Sequence, residues 1–231
     1  MYATWQDELA AFFSPSHIAF FAEAFAHTLL LSWVGAVAGF CIGFGLALCR
    51  HPRLFTAWPQ RTLAIAYVEV FRRIPFLVKL MCVFFAFQFA GIRVSFFTVA
   101  LATVVLSAAA FSAEIIRAGL DSIPAPQWDA AEAMNFTRGQ TLRRVVLPQA
   151  WRVMLPPGFG YIVGFIKSTS IASQIGVLEL TYAAKVMNTK GFSALLCFGT
   201  VLLLYFAICF PTKRLGEYLE RRLQRGPAHA P

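Results

Sequence analysis

The sequence predicts an all-α membrane protein with five transmembrane helices and a cytoplasmic helix-turn-helix loop. Three observations carry that prediction. Hydrophobic residues make up 58% of the 231 residues and charged residues only 13%, against roughly 45–50% and about 25% in soluble domains. Apolar runs approaching the ~20 residues needed to cross a bilayer recur along the chain. The basic residues collect in some of the intervening loops and avoid others. A mean hydropathy of +0.65 and 24 Phe leave too little polar surface for a soluble enzyme, and the same apolar load excludes disorder.

The N-terminal segment, residues 1–23, carries Asp7 and Glu8 and no Lys or Arg before the first apolar run. It lacks the basic region of a cleavable signal, so the first span is expected to persist. That span covers about Phe20–Cys49. Gly35, Gly39, Gly43 and Ala47 fall four apart on it, a small-residue face that lets another helix approach closely. The second covers about Leu63–Ala90 and contains Arg72, Arg73, Pro75 and Lys79. The third covers about Val94–Ile116. A polar, amphipathic stretch then runs from Arg117 to Arg152. The fourth, about Val153–Ile166, is short and interrupted by Pro156, Pro157, Gly158, Gly160 and Gly164. A mixed stretch, Lys167–Lys190, precedes the fifth, about Phe192–Phe210, and a basic tail follows from Pro211.

The net charge of +9 reads as topology and not as nucleic-acid binding. With the N-terminus outside, the inner side holds Arg50, Arg53, Arg61, Arg117, Arg138, Arg143, Arg144, Arg152, Lys213, Arg214, Arg221, Arg222 and Arg225. The outer side holds only Arg93, Lys185 and Lys190. That asymmetry predicts a periplasmic N-terminus and a cytoplasmic C-terminus. The five cysteines form no CxxC pair and lie in or beside apolar runs, which suits buried apolar packing and no metal site. Neither H-E-x-x-H nor G-x-S-x-G occurs, and no catalytic residue is expected.

The loop Ser122–Ala150 reads as two short helices with a bend. Pro126 suits a first helical position. Gln127–Met134 contains strong helix formers. Asn135 can take the left-handed conformation that ends a helix, and Thr137 and Gln140 have capping-box spacing for a second start. Leu142, Val145 and Val146 form an apolar stripe, and Pro148 disfavours continuation. Two acids, Asp129 and Glu132, suit anionic lipid poorly. Docking to a cytoplasmic protein is therefore favoured over lying on the membrane.

Asp129-Ala130-Ala131-Glu132-Ala133-Met134-Asn135 followed by Val145-Val146-Leu147-Pro148 resembles the EAA loop of ABC-importer permeases. The usual form is E-A-A, Gly four residues after the second Ala, then I-x-L-P. Thr28–Ser32, Tyr67–Pro75, Ala113–Arg117, Leu147–Ala150 and Lys167–Ile171 resemble the polar amino-acid branch, which includes histidine, arginine and glutamine permeases. The resemblance runs from about Ala24 to Glu220. Three positions depart from it: Asp129 replaces the usual Glu, Asn135 the usual Gly, and Pro126 the Gly before the Gln.

The resemblance implies a type I ABC importer permease of the bacterial inner membrane, with an ABC type-1 transmembrane domain at 24–220, a coupling loop at 122–150 and a cytoplasmic tail at 221–231. It implies two ATPase subunits, a second homologous or identical permease chain and a periplasmic substrate-binding protein as partners, besides membrane lipid. No nucleic acid is implied. The chain has no G-x-x-x-x-G-K-[ST] motif, so it cannot bind ATP in that manner; the resemblance implies no cofactor of its own, with ATP and Mg²⁺ bound by the partner ATPase. Pro126, Asp129, Ala130, Ala131, Glu132, Ala133 and Asn135 are then the expected ATPase-coupling residues.

Ionisable groups inside spans are expensive and mark candidate pathways. Glu69, Arg72, Lys167, Thr169, Ser170 and Glu179 are the expected substrate-path residues, in a region where a short, Gly/Pro-interrupted span is followed by Ser and Thr. A local reading stands beside this one. Glu69 can pair with an arginine three or four residues on, and Arg73 and Lys79 can reach an interface. The alternatives are a permease for another small nutrient or, from another class, a passive channel or scaffold. The Asp129–Pro148 loop is the feature that a channel has no need for.

Overall fold

The computed structural model describes residues 5–54 and 58–224; Arg225 of the basic tail lies outside them. The described residues form helices joined by short turns, with no strand. Helices run in the order α1 (Trp5–Phe12), α2 (Pro15–Arg50), α3 (Trp58–Arg73), α4 (Phe76–Phe89), α5 (Phe96–Asp121), α6 (Ala125–Ala133), α7 (Arg138–Thr141), a π-turn (Leu142–Val146), α8 (Leu147–Ser168), a 3₁₀ segment (Thr169–Ile175), α9 (Leu180–Thr189) and α10 (Ala194–Gln224).

By length and composition α2, α5 and α10 can each cross a membrane. The stretch Arg138–Ile175 with Leu180–Thr189 qualifies as a fourth crossing bent by 43°. The expected count of five is therefore not reproduced by length alone. The expected second span is two helices. Proline at position 75 has no N–H and pushes Ile74 out of the helical region, so α3 ends at Arg73 and α4 restarts at Phe76. The 14 residues of α4 reach only ~21 Å at 1.5 Å per residue. Nor does Pro148 end a helix as the sequence suggested. It sits in the first turn of α8, where a missing N–H is tolerated, and the Gln149 side chain donates to Val145 O at 2.8 Å. The expected fourth span is longer than its apolar run: α8 carries Pro156 and Pro157 in its interior and continues to Ser168.

The described chain divides into two compact units. Unit 1 draws on Met1–Gly35, Phe76–Val104 and Gly164–Pro211. Its core is Leu31, Leu80, Val99, Ala100, Ala172 and Val177. Within it Gly35 lies so near α5 that a Cβ there would fall 2.5 Å from Val104 Cγ1. The short α1 is clasped by the Glu8 carboxylate, which accepts from Ser193 N at 2.5 Å, and by buried Phe12 edge-on to Phe192. Lys79, expected to reach an interface, is buried in this unit with its Nζ 6.0 Å from the Phe76 ring centroid. Of the cysteines expected to be buried, only Cys197 is; Cys41 and Cys82 are exposed, and all five are free thiols.

Unit 2 draws on Ala36–Pro75, Val105–Val163 and the segment from Thr212. Its core joins Ala47, Ile115, Ile116, Leu120, Ile123, Trp128, Val146, Ala150 and Met154. The small-residue face of α2 packs as the spacing predicts. A Cβ at Gly39 would fall 2.3 Å from Ala108 Cβ, and one at Gly43 would fall 2.6 Å from Ala109 O. Ala47 is fully buried on the same face.

Candidate functional site

The loop between α5 and α8 is a built element and not a solvated strand of chain. Pro126 lies in the first turn of α6, where its ring pre-sets the helical φ and its missing N–H is not needed. Helix α6 ends at Ala133. Asn135 then takes φ +59°, the left-handed conformation that asparagine tolerates better than other side chains. Phe136 N donates to Ala131 O at 3.0 Å across that bend, a Schellman-like closure. Thr137 and Gln140 form the reciprocal capping box expected from their spacing: Gln140 N donates to Thr137 Oγ1, and Thr137 N donates to Gln140 Oε1 at 2.8 Å. The π-turn buries Val146 and half-buries Leu142 and Val145 against the unit 2 core.

One face of α6 is anchored. Trp128 inserts into the unit 2 core and Ala131 is buried beside it. The rest of the helix surface carries Pro126, Asp129, Ala130, Glu132 and Ala133, all exposed, and the turn after it leaves Met134 67% exposed. Six of the seven residues singled out in the sequence thus lie on open surface, while Ala131 points inward. The end of α2 supports the anchored side. Arg53 Nη1 donates to Asp129 Oδ1 at 2.7 Å, and the His51 ring stacks on Trp128 with centroids 4.9 Å apart and planes 18° apart. Burial, opposed by the Asp121 carboxylate and reinforced by Arg53 and Arg61, pulls the His51 imidazole below its ordinary pKa. A neutral ring therefore faces the indole. Gln149 Nε2 closes the arrangement at 2.6 Å from Gln127 Oε1.

Sequence reasoning missed Trp128, His51 and Arg53. The two α2-end residues read as part of a basic loop. The only available signal for Trp128 was a large aromatic flanked by polar and small residues in an otherwise solvated loop.

The six residues expected along a path do not form one cluster in either unit. In unit 2, Glu69 Oε2 accepts from Arg73 Nη2 at 2.6 Å, an i,i+4 pair on an exposed stretch of α3. Arg72 turns to Glu114 instead, at 3.4 Å, and lies over the Phe111 ring. In unit 1, Lys167 is exposed, Thr169 is buried and donates to Ile166 O at 2.7 Å, and Ser170 donates to Lys167 O at 2.7 Å. Glu179 is fully buried. It caps α9 by accepting from Thr181 N at 2.9 Å and Tyr182 N at 2.7 Å, and it also accepts from the Tyr205 hydroxyl at 2.8 Å. The break before α9 is tied to α2 by His27 Nδ1, 3.0 Å from Leu178 O, and by Leu180 N donating to Thr28 Oγ1 at 3.2 Å. Among the described residues no group of three or more His, Cys, Asp or Glu is placed to hold a metal ion.

Comparison with known proteins places this arrangement in a family. Residues 39–225 match the family model described as binding-protein-dependent transport system inner membrane component. The chain is 34% identical over 201 residues to the probable amino-acid ABC transporter permease protein YckA of Bacillus subtilis strain 168, covering 87% of each chain. It is 34% identical over 200 residues to the glutamine transport system permease protein GlnP of Escherichia coli strain K12, covering 85% of this chain and 90% of the relative. Among solved structures, the crystal structure of an amino acid ABC transporter with histidines superposes with a TM-score of 0.83 at 25% identity, over 96% of this chain and 100% of that one. The inward-facing MetNI methionine ABC transporter shares the fold with a TM-score of 0.79 at 23% identity, over 92% of this chain and 100% of that one. The chain belongs to the family of inner membrane components of binding-protein-dependent transport systems.

Proposed function

We propose that the chain is the permease subunit of an ATP-driven importer for a polar amino acid and that α6 is the peg through which a partner ATPase drives it. The observation that carries this reading is the two-sided character of α6. One face is locked into the core by Trp128 and Ala131, and the rest of its surface presents Pro126, Asp129, Ala130, Glu132, Ala133 and the side chain of Met134 to the outside. Small alanines let a groove close over the helix, and an exposed apolar tip beside two acids suits a protein groove better than an anionic bilayer. The left-handed turn at Asn135 stiffens the peg, so a force applied to it is passed on and not absorbed.

In the working complex two ATPase subunits bind ATP and Mg²⁺, a second permease chain completes the pathway, and a periplasmic protein delivers the substrate. The chain itself is non-catalytic. Its domain runs from about 24 to 220, with 1–23 periplasmic, 122–150 the coupling loop and 221–231 a cytoplasmic tail. Charge distribution supports this orientation. Of the described basic residues, unit 1 holds only Lys79, Arg93, Lys167, Lys185 and Lys190, and all others belong to unit 2 together with α6, as expected for cytoplasmic flanks. The amino-acid substrate class rests on relatives named as amino-acid and glutamine permeases. Exposed Lys167 and half-buried Ser170 remain the path residues of choice in unit 1, and Arg72 with Glu69 in unit 2. Thr169 and Glu179 contribute by shaping the backbone around the break. The test is Glu132→Lys in a complex reconstituted with its ATPase and binding protein. Insertion stays intact, while ATPase co-purification or substrate-stimulated hydrolysis falls at least tenfold. Unchanged stimulation refutes the peg. Uptake of radiolabelled glutamine, arginine and histidine by the wild-type complex tests the substrate class.

A further inference from the structure

Glu114 on α5 is the meeting point of three elements. Arg50, the last residue of α2, donates to its Oε2 at 3.0 Å. Arg72, near the end of α3, lies 3.4 Å from the same oxygen. Arg117, one turn further along α5, donates to Oε1. Three guanidinium groups on one carboxylate leave a surplus of positive charge, and Arg117 shares it with Asp121 at 2.5 Å. The other oxygen of Asp121 faces His51 Nε2 at 3.9 Å, and the opposite flat side of this region is the His51–Trp128 stack. Two contacts therefore run from the end of α2 to α6: the buried ring stack and the Arg53–Asp129 pair. The pair is solvated at both ends, with side chains 42% and 62% exposed, so it is weak and screened. The stack is shielded from water and directional.

We infer that His51 and Glu114 are positioning residues for energy coupling: the stack makes α6 move with the end of α2, and the Glu114 hub makes that end move with α3 and α5. The inference rests on α6 being the ATPase contact. A stroke delivered to α6 is then shared among three helices, where a hinge at residues 51–54 would dissipate it. Arginine suits the hub because its rigid fork holds a carboxylate at a fixed angle, which a lysine does not.

The test uses the full complex with ATPase and binding protein in liposomes, with radiolabelled glutamine, arginine and histidine as probes. His51→Gln keeps polarity and approximate volume but loses the ring. ATPase association and hydrolysis rate stay within twofold of wild type, and substrate moved per ATP falls at least fivefold. His51→Phe keeps a flat ring and restores the ratio to within twofold. Glu114→Gln uncouples as His51→Gln does. A normal ratio in His51→Gln, or a His51→Phe variant as poor as His51→Gln, overturns the inference, and so does a loss that only tracks lost ATPase association. The Glu132→Lys experiment fails or succeeds separately. A complex in which that variant stays fully stimulated refutes the docking whatever His51 does, and one in which only the His51 variants behave normally leaves the docking standing.

Discussion

Asn135 shows how a single residue sets the geometry of the peg. At φ +59° a β-branched side chain meets its own backbone, at a cost of roughly 1–2 kcal/mol, whereas glycine relieves what strain there is. Asn135→Val should lower the melting temperature of the detergent-purified complex and expose the α6–α7 bend to limited proteolysis; Asn135→Gly should leave both unchanged or improved. His51 makes a pH prediction. Its folded imidazole titrates below the ordinary 6.5, chiefly through burial, so the unfolded chain takes up the proton more readily. The resulting stability is whole above pH 6.5 and drains away as pH falls beneath it. Thermal melts at pH 7.5 and 5.5 should show an acid-induced loss that His51→Phe reduces. The Asn135 turn and the Thr137–Gln140 box were legible in the sequence because both are made by neighbours a few residues apart. Trp128 against His51, 77 positions distant in the chain, was not, because stacking leaves no spacing to read.

At the scale of the helix, the α2 face is the clearest case of pattern becoming packing. Gly39 and Gly43 lie nearly on the backbone of α5, so any Cβ must push the helices apart. Gly39→Val should destabilise by roughly 1–3 kcal/mol and lower the yield of folded protein, measured by fluorescence-detected size exclusion. The same change at Gly45, where an added Cβ meets no neighbouring helix within 4 Å, should cost far less. Apolar run length predicted elements less well. It joined α3 to α4 across Pro75 and began the fourth span at Val153, where α8 begins at Leu147, because hydropathy records composition, while the backbone obeys the position of each proline relative to a helix start. Glu179 illustrates the converse. A carboxylate in an apolar stretch is equally a ligand group or a cap in sequence; in the fold its oxygens accept from Thr181 N, Tyr182 N and Tyr205. Glu179→Ala leaves those donors unmet at ~1–3 kcal/mol each, which should fray α9.

For the molecule as a whole, the exposed apolar side chains make sense only in lipid or against other chains. On α10, Leu195, Leu202, Leu203 and Phe206 are 60–78% exposed, a surface no water-soluble monomer sustains. The proposed orientation rests on charge and can be tested. With native cysteines replaced, a Cys at Gly139, a site with open space around it, should react with a membrane-impermeant maleimide only from the cytoplasmic side of inverted vesicles. A Cys at exposed Gln6 should react only in intact spheroplasts. The reverse pattern would require the opposite insertion. Fold class and family were readable from composition and motif, but which side of α6 is buried was not: Ala131 was grouped with the exposed residues, and Trp128 was missed. The hub at Glu114 was not readable either, since Arg50 and Arg117 read as inner-side charge and Arg72 as a path residue until folding gathered them around one acid.

The π-turn at Leu142–Val146 carries a timing consequence for any engineered version of this chain. It takes up one residue more than an α-helical ladder would in the same rise, which clocks α6 and α7 to their bearing relative to α8. Winding the same five residues as ordinary α-helix would swing everything upstream by about 100° about the helix axis and turn the indole anchor out of its seat, whereas removing one residue as the ladder tightens would keep the phase. The rewound chain should still insert yet meet its partner out of phase, and the one-residue deletion should meet it in phase.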